Sequence, residues 1–170
     1  MESNFPSLNP PHKLLMGAGP SNANPRVLKA MTNQMIGHLD PDFAQIMHET
    51  QQMLRQVFRA SYPLTLPISG TGTAGMESSL VNIVERGDVV VVGTNGFFAD
   101  RLVNIAERTG AEVVTVQAPW GQPLDPGEIR EELSHHSRVK ALVMVHTETS
   151  TGVRQPLEDI GGIAKEHDAF

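Results

Sequence analysis

The chain of 170 residues has no cysteine, one Trp and one Tyr. Without cysteine there is no disulfide, no thiol nucleophile and no thiolate metal site, and the composition suits a reducing compartment. Positive charge is also scarce: 13 Lys and Arg stand against 19 Asp and Glu, a formal charge of −6 with histidine neutral. That balance leaves no basic footprint for nucleic acid, although one loop can still be electropositive on an acidic protein. Long apolar runs are missing too. The longest aliphatic run, Val89–Val92, is far too short to cross a bilayer. The start, MESNFPSLNPPHKLLMGAGPSN, has neither the basic opening nor the apolar run of a secretory signal. The expectation is a soluble, cytoplasmic protein without membrane or nucleic-acid partners.

What is present is ordinary globular composition, 39% hydrophobic and 19% charged, enough for one domain with a core. The first dozen residues read as an arm. In GAGPSNANP, Asn24 can cap a helix and Pro25 suits its first position, so a short helix runs to about Ile36. Asp40-Pro41 repeats the device. Phe43, Ile46, Met47, Leu54, Val57 and Phe58 then fall at helical spacing, one apolar stripe about five turns long. From Leu64 short apolar strands alternate with helices. Strands are expected at Leu64–Ile68, Val89–Gly93, Glu112–Val116 and Val139–Val145. The helices fall around Met76–Glu85, Ala99–Arg108, Pro126–Leu133 and Leu157–His167. Val-rich strands without polar alternation are buried on both faces, which predicts an α/β three-layer domain with a parallel sheet. Ala169-Phe170 reads as the first step of another strand, so a truncated α/β domain is expected.

Ligands in such a sheet bind outside the carboxyl ends of the strands. Three loops at that rim are rich in small donors: SGTGT (Ser69–Thr73), GTNGFF (Gly93–Phe98) and HTETSTG (His146–Gly152). The first contains a literal G-x-G-x-x-G at Gly70, Gly72 and Gly75. A P-loop fails, because no Lys follows. A dinucleotide site needs an acid at the end of the next strand, about 20 residues on; that strand ends in Gly93-Thr94-Asn95, while Asp88 precedes it and Asp100 falls in the next helix. A nicotinamide-dependent oxidoreductase is thereby disfavoured. A third design is a phosphate monoester at a helix start, taking the N–H groups of Gly72 and Thr73 and the hydroxyls of Thr71 and Thr73. A tight turn in which Ser and Thr merely cap fits the same residues. Phe98 could stack on a planar ring at the same rim, or belong to the core. Thr147, Thr149, Ser150 and Thr151 could bond a ring substituent, or simply form a hydroxyl-rich turn.

Together LLMGAGPSN, GHLDPDF, LTLPISGTGTAGMESSLVNIVERGD, VVVGTNGFFADR and HTETSTGVRQPLEDI resemble the N-terminal part of a pyridoxal-phosphate enzyme of fold type I. More narrowly, they resemble class V aminotransferases of the serine/alanine–glyoxylate group. The resemblance implies that Thr71, Gly72 and Thr73 bind the cofactor phosphate, that Phe98 stacks on the pyridine ring, and that Thr149 contacts the ring hydroxyl. Some relatives carry Trp at the Phe98 position and Ser at the Thr149 position. The GAGPSN loop, with Gly19, is similar to the family segment that approaches the substrate. On this reading residues 1–24 are an arm and substrate-side loop, and residues 25–170 are the incomplete N-terminal part of the cofactor-binding large domain. The implied reaction is ping-pong transamination between a small amino acid, serine or alanine, and the 2-oxo acid glyoxylate, in a homodimer. Ureidoglycine–glyoxylate transamination is similar in these motifs.

The family reaction also needs a Schiff-base lysine and an acid that keeps the pyridine nitrogen protonated. None of the four lysines, Lys13, Lys29, Lys140 and Lys165, is expected at the rim. No residue here is assigned a catalytic role, and the 170-residue piece alone is expected to be inactive, with the lysine and the acid beyond Phe170. No metal site is expected either. HETQQ at His48 lacks the second His of H-E-x-x-H, and His135-His136 adjoin a helix end that suits cations. His38, in GHLDPDF, has no assigned role.

Overall fold

The computed structural model describes residues 10–170, so most of the expected N-terminal arm lies outside the described residues. Helix α1 (Pro25–Met31) starts as expected: Asn24 is extended, its side chain accepts from Arg26 N–H, and Pro25 takes the first helical position. Asp40 and Pro41 do the same for α2 (Pro41–Phe58), with Asp42 N–H donating to the Asp40 carboxylate at 2.9 Å. α1 closes at Met31 and does not reach Ile36, because the Thr32 hydroxyl bonds back to Lys29 O at 2.7 Å and ends the turn. Neither helix has a buried residue. The stripe of α2 is open to solvent at Ile46, Met53, Val57 and Phe58.

Three parallel strands form the centre. β1 (Val89–Thr94) lies between β2 (Glu112–Gln117) and β3 (Ala141–Val143), with Val90 facing Val113 on one side and Ala141 on the other. Successive side chains enter opposite layers. Val90 and Val92 pack with Leu80 of α3 (Gly72–Val81) and with Leu102 and Ile105 of α4 (Phe97–Thr109). Val91 packs the other way, with Ile129 and Leu133 of α5 (Pro126–Ser134) and Ile163 of α6 (Ile160–Glu166). Each such buried side chain stabilises the fold by roughly 1.5–3 kcal/mol. The three-layer α/β arrangement with a parallel sheet is therefore present.

Some boundaries differ from expectation. Leu64–Ile68 forms no strand: Leu64, Leu66 and Ile68 are exposed, and among the described residues no strand runs beside them to share a ladder. β3 is only three residues long, since Ala141–Val143 alone face Val90–Val92. Beyond it the chain turns out into an unexpected antiparallel hairpin of β4 (Thr147–Glu148) and β5 (Val153–Arg154). Phe170 N–H donates to Lys140 O at 3.1 Å, and Leu142 N–H to Phe170 O at 2.9 Å. That slanted exchange is how a parallel neighbour begins along β3.

β1 leads through α4 to β2 on one side, whereas β3 falls on the other side of β1. The strand order thus reverses between β1 and β3. Such a switch point opens a crevice at the carboxyl ends, flanked here by the loops after β1 and after β3.

Candidate cofactor site at the carboxyl rim

The loop from Ser69 ends at Thr71, which is extended (φ −79°, ψ 170°) and makes no side-chain cap bond to α3. The first bond of the helix runs from Gly75 N–H to Thr71 O at 3.2 Å. The amides of Gly72, Thr73 and Ala74 consequently have no acceptor among the described residues. α3 begins four residues before the expected Met76, its start hidden by glycines of low helix propensity. Gly70 is required by packing, since a Cβ there would stand 2.8 Å from the Ala74 Cβ. At Gly72 a Cβ would meet nothing within 4 Å.

The start of α4 is the opposite case. Its cap position is Gly96, which has no side chain to offer, yet all three leading amides are satisfied from the β4–β5 hairpin. Phe97 N–H donates to Ser150 Oγ at 3.1 Å, and the Phe98 and Ala99 amides both donate to Glu148 Oε2 at 3.0 Å. Glu148 is fully buried, and its other oxygen accepts from Ser150 N–H at 3.2 Å and Ser150 Oγ at 2.6 Å. Sequence reasoning passed over Glu148 and read Ser150 only as a hydroxyl for a ring substituent. The available signal was an acid in a hydroxyl-rich rim loop facing a helix with glycine at its cap. Of the α3 and α4 starts, only that of α3 has free amides for an anion.

Arg101 joins α3 to the aromatic pair. Its Nη1 donates to Thr73 Oγ1 at 2.8 Å, and its guanidinium carbon lies 4.9 Å from the Phe98 ring centre and 5.2 Å from that of Phe97. The two rings meet edge to face, 5.5 Å apart. Because Arg101 occupies a lone pair of the Thr73 oxygen, the hydroxyl proton is left to donate elsewhere. Phe98 and Thr149 line one end of an apolar cleft of about 440 Å³ that follows β3 past Met76 and Leu102 to Phe170. Thr71, Gly72 and Thr73 do not line that cleft; Arg101 is what ties them to its Phe98 end.

The other candidates fall elsewhere. Gly19 sits in an exposed loop that Asn22 ties together by accepting from Leu15 N–H and donating to Lys13 O. No described contact brings it to Phe98 or Thr149. Lys140 lies at the amino end of β3, its Nζ 5.4 Å from the Phe170 ring centre, away from the rim. The end of β1 carries no acid: Thr94 and Asn95 are buried there, and Asn95 Nδ2 donates to Gln122 O at 3.0 Å. Asp88, at the amino end, accepts from Glu85 N–H. A ribose anchor is thus lacking. His135 and His136 lie 3.8 and 3.2 Å from Glu132, and among the described residues no three such side chains could gather a metal ion.

Residues 13–170 match the family model for class V aminotransferases. Over 163 residues the chain is 43% identical to an alanine–glyoxylate aminotransferase of Rattus norvegicus, covering 96% of this chain and 39% of that protein. Over 160 residues it is 40% identical to an (S)-ureidoglycine–glyoxylate transaminase of Bacillus subtilis, covering 94% and 38%. A crystal structure of an alanine–glyoxylate aminotransferase from Nostoc sp. superposes with a TM-score of 0.93 at 47% identity, covering 99% of this chain and 44% of that one. This chain belongs to the class V aminotransferases, pyridoxal-phosphate-dependent enzymes of fold type I. It spans about two fifths of the length of these relatives.

Proposed function

We propose that the protein transfers an amino group from a small amino acid, alanine or serine, to glyoxylate, using pyridoxal 5′-phosphate. The observation that carries the cofactor part of this reading is the pair of unlike helix starts: three free amides on α3, bridged by Arg101 to an aromatic ring beside a cleft; the substrates are argued from the identity with alanine–glyoxylate aminotransferases. The donors fit the cofactor. Gly72 and Thr73 offer amides to the phosphate and Thr71 and Thr73 offer hydroxyls, while the dipole of α3 adds roughly 0.3–1 kcal/mol. Phe98 stacks on the ring, and Thr149 bonds its hydroxyl. The Gly19 loop takes the substrate side. When bound, the cofactor supplies an electron sink for the amino acid's α-carbon.

These residues bind and orient; the covalent lysine and the acid at the pyridine nitrogen are assigned to chain beyond Phe170. Residues 25–170 then form the N-terminal part of the large domain, preceded by an arm and substrate-side loop. The protein works in the cytoplasm as a homodimer. A second reading, ureidoglycine as amino donor, is favoured by the 40% identity with the Bacillus subtilis transaminase.

The test is to purify the full-length protein, treat it with borohydride, and map the fixed cofactor by mass spectrometry. A pyridoxyl group is expected on a lysine outside residues 1–170, with glycine formed from glyoxylate when alanine or serine is supplied. Glycine formed with ureidoglycine alone would favour the second reading. Adduct on Lys13, Lys29, Lys140 or Lys165 would overturn the division of labour. Turnover that requires a nicotinamide cofactor would overturn the reaction class.

A further inference from the structure

Glu148 is a wholly buried carboxylate, and among the described residues it has no cationic partner. Removing such a charge from water is costly unless hydrogen bonds replace the lost hydration. Here four replace it, and all come from two places. Oε2 takes the amides of Phe98 and Ala99, at the positive end of α4; Oε1 takes the amide and hydroxyl of Ser150. Glu148 therefore bonds the backbone of Phe98 itself and directly precedes Thr149 in the chain. A Cβ on Gly96 would collide with the Glu148 side chain, so the two loops are in contact as well as bonded.

We infer that Glu148 is a positioning residue for the cofactor ring, clamping the α4 start that carries Phe98 to the hairpin loop that carries Thr149. This rests on the cofactor reading above. The clamp has a second effect. Its negative charge and acceptors use up the amides of α4, so the amides of α3 are left as the anion seat. Both oxygens must accept for the clamp to close. Glutamine cannot do this: whichever way its amide turns, an NH₂ faces either the Ser150 amide or the Phe98 and Ala99 amides, donor against donor. Aspartate keeps the charge but is one methylene too short to reach both sides.

The test compares full-length Glu148→Gln, Glu148→Asp and the milder Ser150→Ala with Ile105→Val, a core change on the same helix. Three quantities are read: the melting temperature of the cofactor-free protein, the dissociation constant for pyridoxal 5′-phosphate, and the induced circular dichroism of its bound visible band, which senses ring tilt. Both Glu148 variants are expected to weaken binding at least about tenfold and to alter the dichroism, as removal of an orienting partner does elsewhere. Ser150→Ala should move both in the same direction by less. Ile105→Val should lower the melting temperature and leave affinity and dichroism alone. Affinity and dichroism unchanged in the Glu148 variants would overturn the clamp, as would equal loss in Ile105→Val. Should the Glu148 variants fail to fold, Ser150→Ala with unchanged dichroism would overturn it. Wild-type protein that binds no pyridoxal phosphate would overturn the cofactor reading instead, and the clamp with it.

Discussion

Thr73 and Phe98 sit 25 positions apart in the chain, and a single guanidinium, that of Arg101, reaches both. At the residue scale this is how a glycine-threonine turn and an aromatic ring become one surface. The turn itself is suited to a charge test. A side chain at Gly72 enters open space, and a carboxylate in the first turn of a helix is neutral to favourable for folding, by roughly 0.3–1 kcal/mol. Gly72→Glu is therefore expected to abolish retention of pyridoxal phosphate in the full-length protein while its cofactor-free melting temperature stays at or above the wild-type value. Retention unchanged would remove the α3 turn as the phosphate seat. Residues of this kind were visible in the sequence because the rim loops are short and rich in small donors. Arg101 and Glu148 were not, nor was the bond between Phe97 and Ser150, since the partners lie 28, 49 or more residues apart.

The elements followed local signals where those signals were chemical. Asn24-Pro25, Asp40-Pro41 and Asp125-Pro126 each start a helix at the expected residue, with the capping side chain accepting from the helix. Where an element depends on a neighbour, local pattern failed. Leu64–Ile68 has a strand's composition but no described partner, and α4 starts at Phe97 because the hairpin caps it from outside. Gly96→Ala is accordingly expected to destabilise the fold by about 1–3 kcal/mol, an overpacking cost against a side chain that four hydrogen bonds hold in place. Chemical denaturation of the full-length variant measures it. On the far side, Arg130 Nε reaches Glu166 at 3.0 Å and joins α5 to α6. The hydrogen bond from Arg130, and then its charge, hold Glu166 below the usual carboxylate range. The pair's contribution is thus in place above the unfolded value of about 4.3 and fades as pH falls through the folded value. Both side chains are about half exposed, so the effect is small and screened by salt. Denaturation curves for Glu166→Gln should show a shallower loss of stability on acidification, with the difference shrinking at high ionic strength.

For the whole molecule, the uneven distribution of burial is the main fact. The sheet and α3 to α6 enclose Val90, Val91 and Val92 completely, while α1 and α2 bury nothing and leave Val57 and Phe58 about three-quarters exposed. No described helix is long and apolar enough to cross a membrane. Uncovered apolar helix faces are contact sites, here for the remainder of the full-length chain or for a second copy. On the dimer reading, sedimentation equilibrium of the full-length protein should give twice the chain mass, and Val57→Glu with Phe58→Glu should shift it toward monomer. An unaltered dimer would place the interface elsewhere. The amino-acid sequence alone determined the layered α/β class, the three helix starts at Asn-Pro or Asp-Pro and the three donor-rich rim loops, because periodicity, capping and turn chemistry act over a few residues. Tertiary structure alone decided which helix start keeps its amides free, how Arg101 and Glu148 couple the loops, and which apolar stripe stays uncovered. Those outcomes depend on groups far apart in sequence competing for the same hydrogen bonds and the same buried volume, and no local pattern records who wins.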